Sequence, residues 1–122
     1  MDAARVTKYL LTGVATIVYT HMKFEWDEHK RQSNLFKHGI DFASARQVLE
    51  RDSVVSFPDE RYSDNRWIAY GFLDAIPIQI AFQQLNGDTI RIISMRKATR
   101  RERKHLYAEF SRSIVIQDGG EE

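Results

Sequence analysis

The sequence predicts an α+β domain, on three observations. Helix signals are confined to the stretch before residue 50 and to one segment after residue 98, the apolar period between them changes to that of strands, and Asn86-Gly87 separates two such strands as a strong hairpin signal. The expected architecture is two N-terminal helices, an antiparallel sheet of about four strands and a C-terminal helix.

Lys23 to Trp26 reads as a short strand. Asp27 is a natural N-cap for a helix over Glu28 to about Lys37, and Gly39 ends it. Asp41 caps a second helix, in which Phe42, Ala45, Val48 and Leu49 recur with helical spacing; this face, with Leu35 and Phe36, is expected in the core. From Ser53 the pattern is that of strands: Val54 to Phe57, a Pro58-Asp59 turn, then Trp67 to Phe72, Ile76 to Phe82 and Ile90 to Met95 as one antiparallel meander. Pro77 lacks an amide donor, which argues for an edge, a strand beginning or a bulge near it. Thr99 and Glu102 have capping-box spacing, so the last helix starts at about Arg100 and runs to about Phe110, with Leu106, Phe110 and in one reading Tyr107 facing inward. Ile114-Val115-Ile116 adds a strand or remains a tail, and residues 119–122 are expected to be disordered.

With 122 residues and 43% hydrophobic content, the chain builds one domain around a modest core. The absence of cysteine excludes disulfides, thiolate metal sites and a thiol nucleophile, and fits a cytoplasmic location. Tyr9 to Tyr19 is apolar and follows Arg5 and Lys8, yet it is short for a membrane span and lacks an A-x-A cleavage site, so no membrane association is expected. Residues 1–22 read as an N-terminal extension with a second possible start at Met22, residues 23–112 as the domain and residues 113–122 as a tail. The four histidines are scattered, the acidic residues do not cluster, and no P-loop, dinucleotide-binding glycine pattern or nucleophile elbow occurs; the expected site uses no metal and no cofactor.

Charge is the feature that points to a ligand. Arg91, Arg96, Lys97, Arg100, Arg101, Arg103 and Lys104 stand within fourteen positions of a chain whose formal net charge is only +1. Arg100 and Arg101 fall in the first turn of the last helix, where cations oppose the positive end of the helix dipole and free amides favour an anion. A nucleic-acid phosphate relieves both, and RNA is the favoured ligand. The plain alternative is a solvated helix face.

Four segments then carry a family likeness: Phe24-Glu25-Trp26-Asp27, Asn34 through Phe42, Arg66 through Gly71, and Ile90 through Arg103. In order and spacing over about residues 23 to 107, they resemble the BrnT toxins. The resemblance implies a RelE-like ribonuclease toxin of a type II toxin-antitoxin pair, neutralised by a BrnA-type antitoxin that alone contacts DNA. It also implies that Arg66, Arg91 and Arg96 bind phosphate and stabilise charge. Lys97, Arg100, Arg101 and Tyr107 are expected on the RNA, and His38 and Glu102 are the acid–base candidates. Each has a plain structural alternative: an ion pair of Arg66 with Asp64 or Asp59, a solvent-facing Arg91, a core Tyr107, a dipole-favoured His38 at its helix end and a capping-box Glu102. Trp67, Tyr70 and Phe82 either stack bases or fill the core. The rival to catalysis is a module that holds nucleic acid through the basic strand-helix junction without cutting it.

Overall fold

The computed structural model describes residues 7–9, 15–17, 21–51 and 54–108. β1 (Thr7–Tyr9) and β2 (Ala15–Ile17) pair antiparallel by themselves. The main body runs β3 (Lys23–Trp26), α1 (Glu28–His38), a 3-10 turn (Phe42–Ser44) leading into α2 (Ala45–Leu49), β4 (Val55–Pro58), β5 (Arg66–Leu73), β6 (Ile76–Asn86) and β7 (Thr89–Lys97). A last helix, α3, occupies residues 100–108. Phe110 and residues 113–122 lie outside the described residues.

The α+β class holds, with two corrections. The sheet has five strands in the order β3-β7-β6-β5-β4, and β3 pairs parallel with β7, so the sheet is mixed. The two helical segments therefore follow the first strand, and the second is a 3-10 turn with a short α-helix. A parallel neighbour needs a long crossover, here everything from α1 to β6, and no local turn signal announces such a pairing.

Predicted caps form as expected. The Asp27 carboxylate accepts from the Lys30 amide at 3.1 Å, and Gly39 (φ 71°) closes α1 in the left-handed region, its amide donating to Leu35 O at 2.8 Å. The Asp41 carboxylate accepts from the Ala43 amide at 2.9 Å and starts the 3-10 turn. Phe42, Ala45, Val48 and Leu49 are buried against Ala69, Ile78, Ile80, Phe82, Ile90, Ile92 and Met95 of the sheet's inner face. Each large side chain so buried contributes about 1.5–3 kcal/mol. Met22, the last residue of the segment read as an extension, is buried in the same core.

Leu35 and Phe36 depart from expectation: they are 40% and 93% exposed. Asn34 is the buried residue of α1. β3 pairs with residues 89–92 of β7, and past that point α1 covers the strand's edge. Asn34 Nδ2 donates to Met95 O at 2.8 Å and Ile40 O at 3.1 Å, and Oδ1 accepts from the Met95 amide at 3.2 Å. One side-chain amide thus continues the ladder that β3 leaves unfinished, so α1 meets the sheet along a narrow line and its apolar flank faces outward.

Gly71 on β5 marks the tightest approach of sheet and helix. A methyl group there meets Val48 Cγ1 at 2.7 Å. Gly71→Ala is expected to cost about 1–3 kcal/mol by overpacking, read as a lowered urea midpoint with an unchanged slope. An unchanged midpoint means that α2 shifts freely.

Candidate functional site

The face of the sheet opposite the main core carries the predicted arginines, and strand register explains why. Residues paired across strands share a face. One row reads Arg66, Gln83, Arg91 and Glu25; the next Phe57, Ile68, Ala81 and Ser94; the third Val55, Tyr70, Gln79 and Arg96.

Arg91 and Arg96 stand five positions apart, an odd spacing that in a regular strand sends side chains to opposite faces. Pairing jumps from Ala81 with Ser94 to Phe82 with Ile92, so Ile93 is the extra residue of a β-bulge. The bulge resets the alternation. Ile92 and Met95 both point into the core, and Arg91, Ser94 and Arg96 share the outer face. Arg66 and Arg91 flank β6, about 10 Å apart at two strand spacings.

Each arginine faces a carboxylate. Arg96 forms a two-pronged pair with Glu102, Nη1 to Oε1 at 2.8 Å and Nη2 to Oε2 at 2.9 Å. Arg91 meets Glu25 through Nη2 at 2.8 Å and Nε at 2.9 Å. Arg66 reaches Asp64 at 3.3 Å and lies 4.2 Å over the Tyr62 ring. The more exposed pairs of Arg91 and Arg66 are worth little individually, so an arriving phosphate can share or displace them, whereas the two-pronged, partly buried Arg96–Glu102 pair is held more firmly. Among the described residues, no ion pair engages Lys97, Arg100, Arg101, Arg103 or Lys104, all exposed around the start of α3.

Glu102 is the hub of the junction between β7 and α3. It completes the predicted capping box: the Thr99 amide donates to Oε1 at 2.8 Å, and the Glu102 amide donates to Thr99 Oγ1 at 3.2 Å. Gln79 Nε2 donates to Glu102 Oε2 at 3.2 Å and to Tyr70 Oη at 2.8 Å. The Arg96 guanidinium above all holds the Glu102 carboxyl down to about 2. Such a carboxylate is ionised at neutral pH but is a weak proton acceptor. Burial raises the Tyr70 phenol above its ordinary value.

The chain matches, over residues 26–102, the sequence model of the ribonuclease toxin BrnT of type II toxin-antitoxin systems. It belongs to the BrnT toxin family. The crystal structure of the Brucella abortus ribonuclease toxin BrnT resembles it with a TM-score of 0.53 and 38% identity, covering 65% of this chain and 99% of that one. Curated protein sequences gave no match.

Within this BrnT-family fold the remaining candidates fall in different places. Tyr107 is half-exposed on α3, its ring stacked on Phe72 with centroids 6.4 Å apart. His38 ends α1 beyond the β7 edge and lines a cavity there, away from the Arg96–Glu102 junction. Phe82 is buried beneath a stacked Trp67 ring on the inner face, so neither is presented beside the arginines, whereas Tyr70 is. Gln79 and Gln83 are each flanked across the sheet by site residues and are not among the sequence-predicted candidates; their signal is a spacing of four on a strand, an even number that puts both on the face of Arg91 and Arg96. Among the described residues no three His, Asp or Glu side chains could together hold a metal ion, and no helix is long and apolar enough to cross a membrane.

Proposed function

We propose that this chain is a metal-independent endoribonuclease toxin that cuts cellular RNA in the cytoplasm and so slows growth. Its domain spans residues 23–112, and a BrnA-type antitoxin that alone contacts DNA neutralises it. The reading is supported above all by the register that gathers Arg66, Arg91 and Arg96 on one sheet face, beside the exposed cations of α3. A RelE-like relationship rests on the family resemblance alone.

In the proposed reaction the 2′-oxygen attacks the adjacent phosphorus, a base removes its proton, and the bond to the 5′-oxygen breaks as that oxygen gains a proton. The products are a 2′,3′-cyclic phosphate and a 5′-hydroxyl. Charge gathers on the phosphorane oxygens, where fixed guanidinium groups stabilise it best. Arg96, Arg91 and Arg66 take that role. Lys97, Arg100 and Arg101 hold flanking phosphates, with Tyr107 at the rim. Of the acid–base candidates, Glu102 is committed to Arg96 and His38 lies on the α1 side of β7, away from that junction, so neither stands ready as a base beside Arg96.

That commitment favours the rival reading, a module that binds RNA without cutting it. Incubating the full-length chain with total RNA in excess chelator decides between them. The expected result is fragments ending in 2′,3′-cyclic phosphate. RNA bound but intact with or without metal makes the chain a binder; cleavage abolished by the chelator and restored by a divalent cation overturns metal independence.

A further inference from the structure

α1 carries a second cationic surface that the arginine face does not use. Lys30, Ser33, Asn34, Lys37 and His38 recur at i, i+3, i+4, i+7 and i+8 and so form one helix face. Asn34 clamps that face to Met95, and the rest of it lines a cavity against Ile93 and Ser94, the bulge of β7.

Ser94 belongs to both surfaces. It lies on the outer face between the rows of Arg91 and Arg96, in line with Ala81 and Ile68, and it also forms one wall of the α1 cavity. Ala81 and Ser94 are short side chains between taller Arg and Gln neighbours. Across β6 and β7 the middle row is therefore a shallow trough that opens at the β7 edge toward α1, while Phe57 and Ile68 are the taller members of the row.

The ammonium groups on this helix face form no ion pair among the described residues, although the Asp27 carboxylate acts on Lys30 through space. Nearby acidic groups are engaged elsewhere: Asp27 caps α1, and Glu28 and Asp41 both bind Arg31, at 2.6 and 3.0 Å. Lys30 and Lys37 are exposed and enter no ion pair among the described residues. Two ammonium groups and the Ser33 and Ser94 hydroxyls, converging on one concave site, offer donors to an anion; such a concavity at the end of a basic trough suits a phosphodiester.

We infer that this cavity holds a backbone phosphate of single-stranded RNA, so that the strand crosses the sheet along Ile68, Ala81 and Ser94 and leaves over the β7 edge onto α1. The inference rests on the proposed RNA-cutting function and gives the substrate a path. Lys30 and Lys37 bind the flanking strand, and their loss acts on affinity.

The test is fluorescence anisotropy with a short labelled 2′-O-methyl RNA, which cannot be cut by 2′-oxygen attack, titrated over a salt series with the full chain and its Lys30→Ala/Lys37→Ala variant. Each neutralised phosphate of a single strand contributes about 0.7 to the slope of log affinity against log salt. The double variant is expected to lose about 0.7 of that slope, the share of the one phosphate held there, to bind more weakly at low salt, and to raise KM for RNA cleavage. An unchanged slope overturns the inference while leaving the wild-type function intact. An unchanged slope with lost antitoxin binding assigns the face to a protein partner instead and equally overturns it. Failure of the wild-type chain to bind RNA at all overturns the functional reading itself. Thermal unfolding of the variant guards against misfolding, and Lys37→Arg, which keeps the charge, is expected to retain the slope.

Discussion

Arg96→Ala is expected to lower RNA cleavage by about 10²–10³-fold, the range for losing one preorganised donor to developing negative charge. The side chain stands where β7 meets α3, on the face shared with Arg66 and Arg91, and its two nitrogens are held parallel by Glu102. That grip fixes the guanidinium in one orientation before substrate arrives. Arg96→Lys is expected to restore little, because an ammonium group cannot reproduce the planar fork. Glu102 keeps its bond to the Thr99 amide in either variant, so the start of α3 survives and stability changes little. If single-turnover cleavage by the alanine variant matches wild type, Arg96 merely anchors the helix and the reacting phosphate lies elsewhere.

Asn34→Ala is expected to be the most destabilising substitution of a polar residue in the domain. It removes partners from Met95 N–H, Met95 O and Ile40 O, groups at a buried position. Unsatisfied buried groups cost about 1–3 kcal/mol each, and some water entry at a strand edge favours the lower end, giving roughly 3 kcal/mol in total. Asn34→Asp tests the mechanism: it keeps an acceptor for the Met95 amide but turns an oxygen toward two carbonyls, so it is expected to be no better than alanine. Denaturant midpoints measure both. A loss below about 1 kcal/mol for alanine means that β7 holds its edge without help.

Sequence patterning made some of this molecule legible and hid the rest for physical reasons. Asp27, Asp41, Thr99 and Glu102 accept from nearby amides and Gly39 donates its own amide to Leu35 O, so their roles can be read locally; each caps where its spacing indicates, Asp41 starting a 3-10 turn before the short helix. The Gly87-Asp88 loop between Asn86 and Thr89 sits where the hairpin signal lies. By contrast, Asp74 and Ala75, both at positive φ, close the β5–β6 turn without the glycine that usually marks one. Asn34 was invisible as a clamp because its partner Met95 is 61 positions away. Phe36 looked like core because hydrophobicity reports a residue's preference and not the direction a helix faces. For the site, the arginines could be listed from the sequence. Their common face could not, since it depends on one extra residue in β7; nor could their carboxylate partners, apart from the Asp64 of Arg66.

The parallel pairing of β3 with β7 has a consequence for how the protein is made. Glu25 meets Arg91 across 66 positions of chain, and contacts that distant form only after the intervening segment has been synthesised. While the ribosome is still building the middle of the sheet, β3 has no partner, the arginines of β7 do not exist, and α1 has no edge to cover. A nascent chain therefore holds no assembled cationic face. On the proposed function, the order of translation itself keeps an unfinished chain from acting on the RNA from which it is being read.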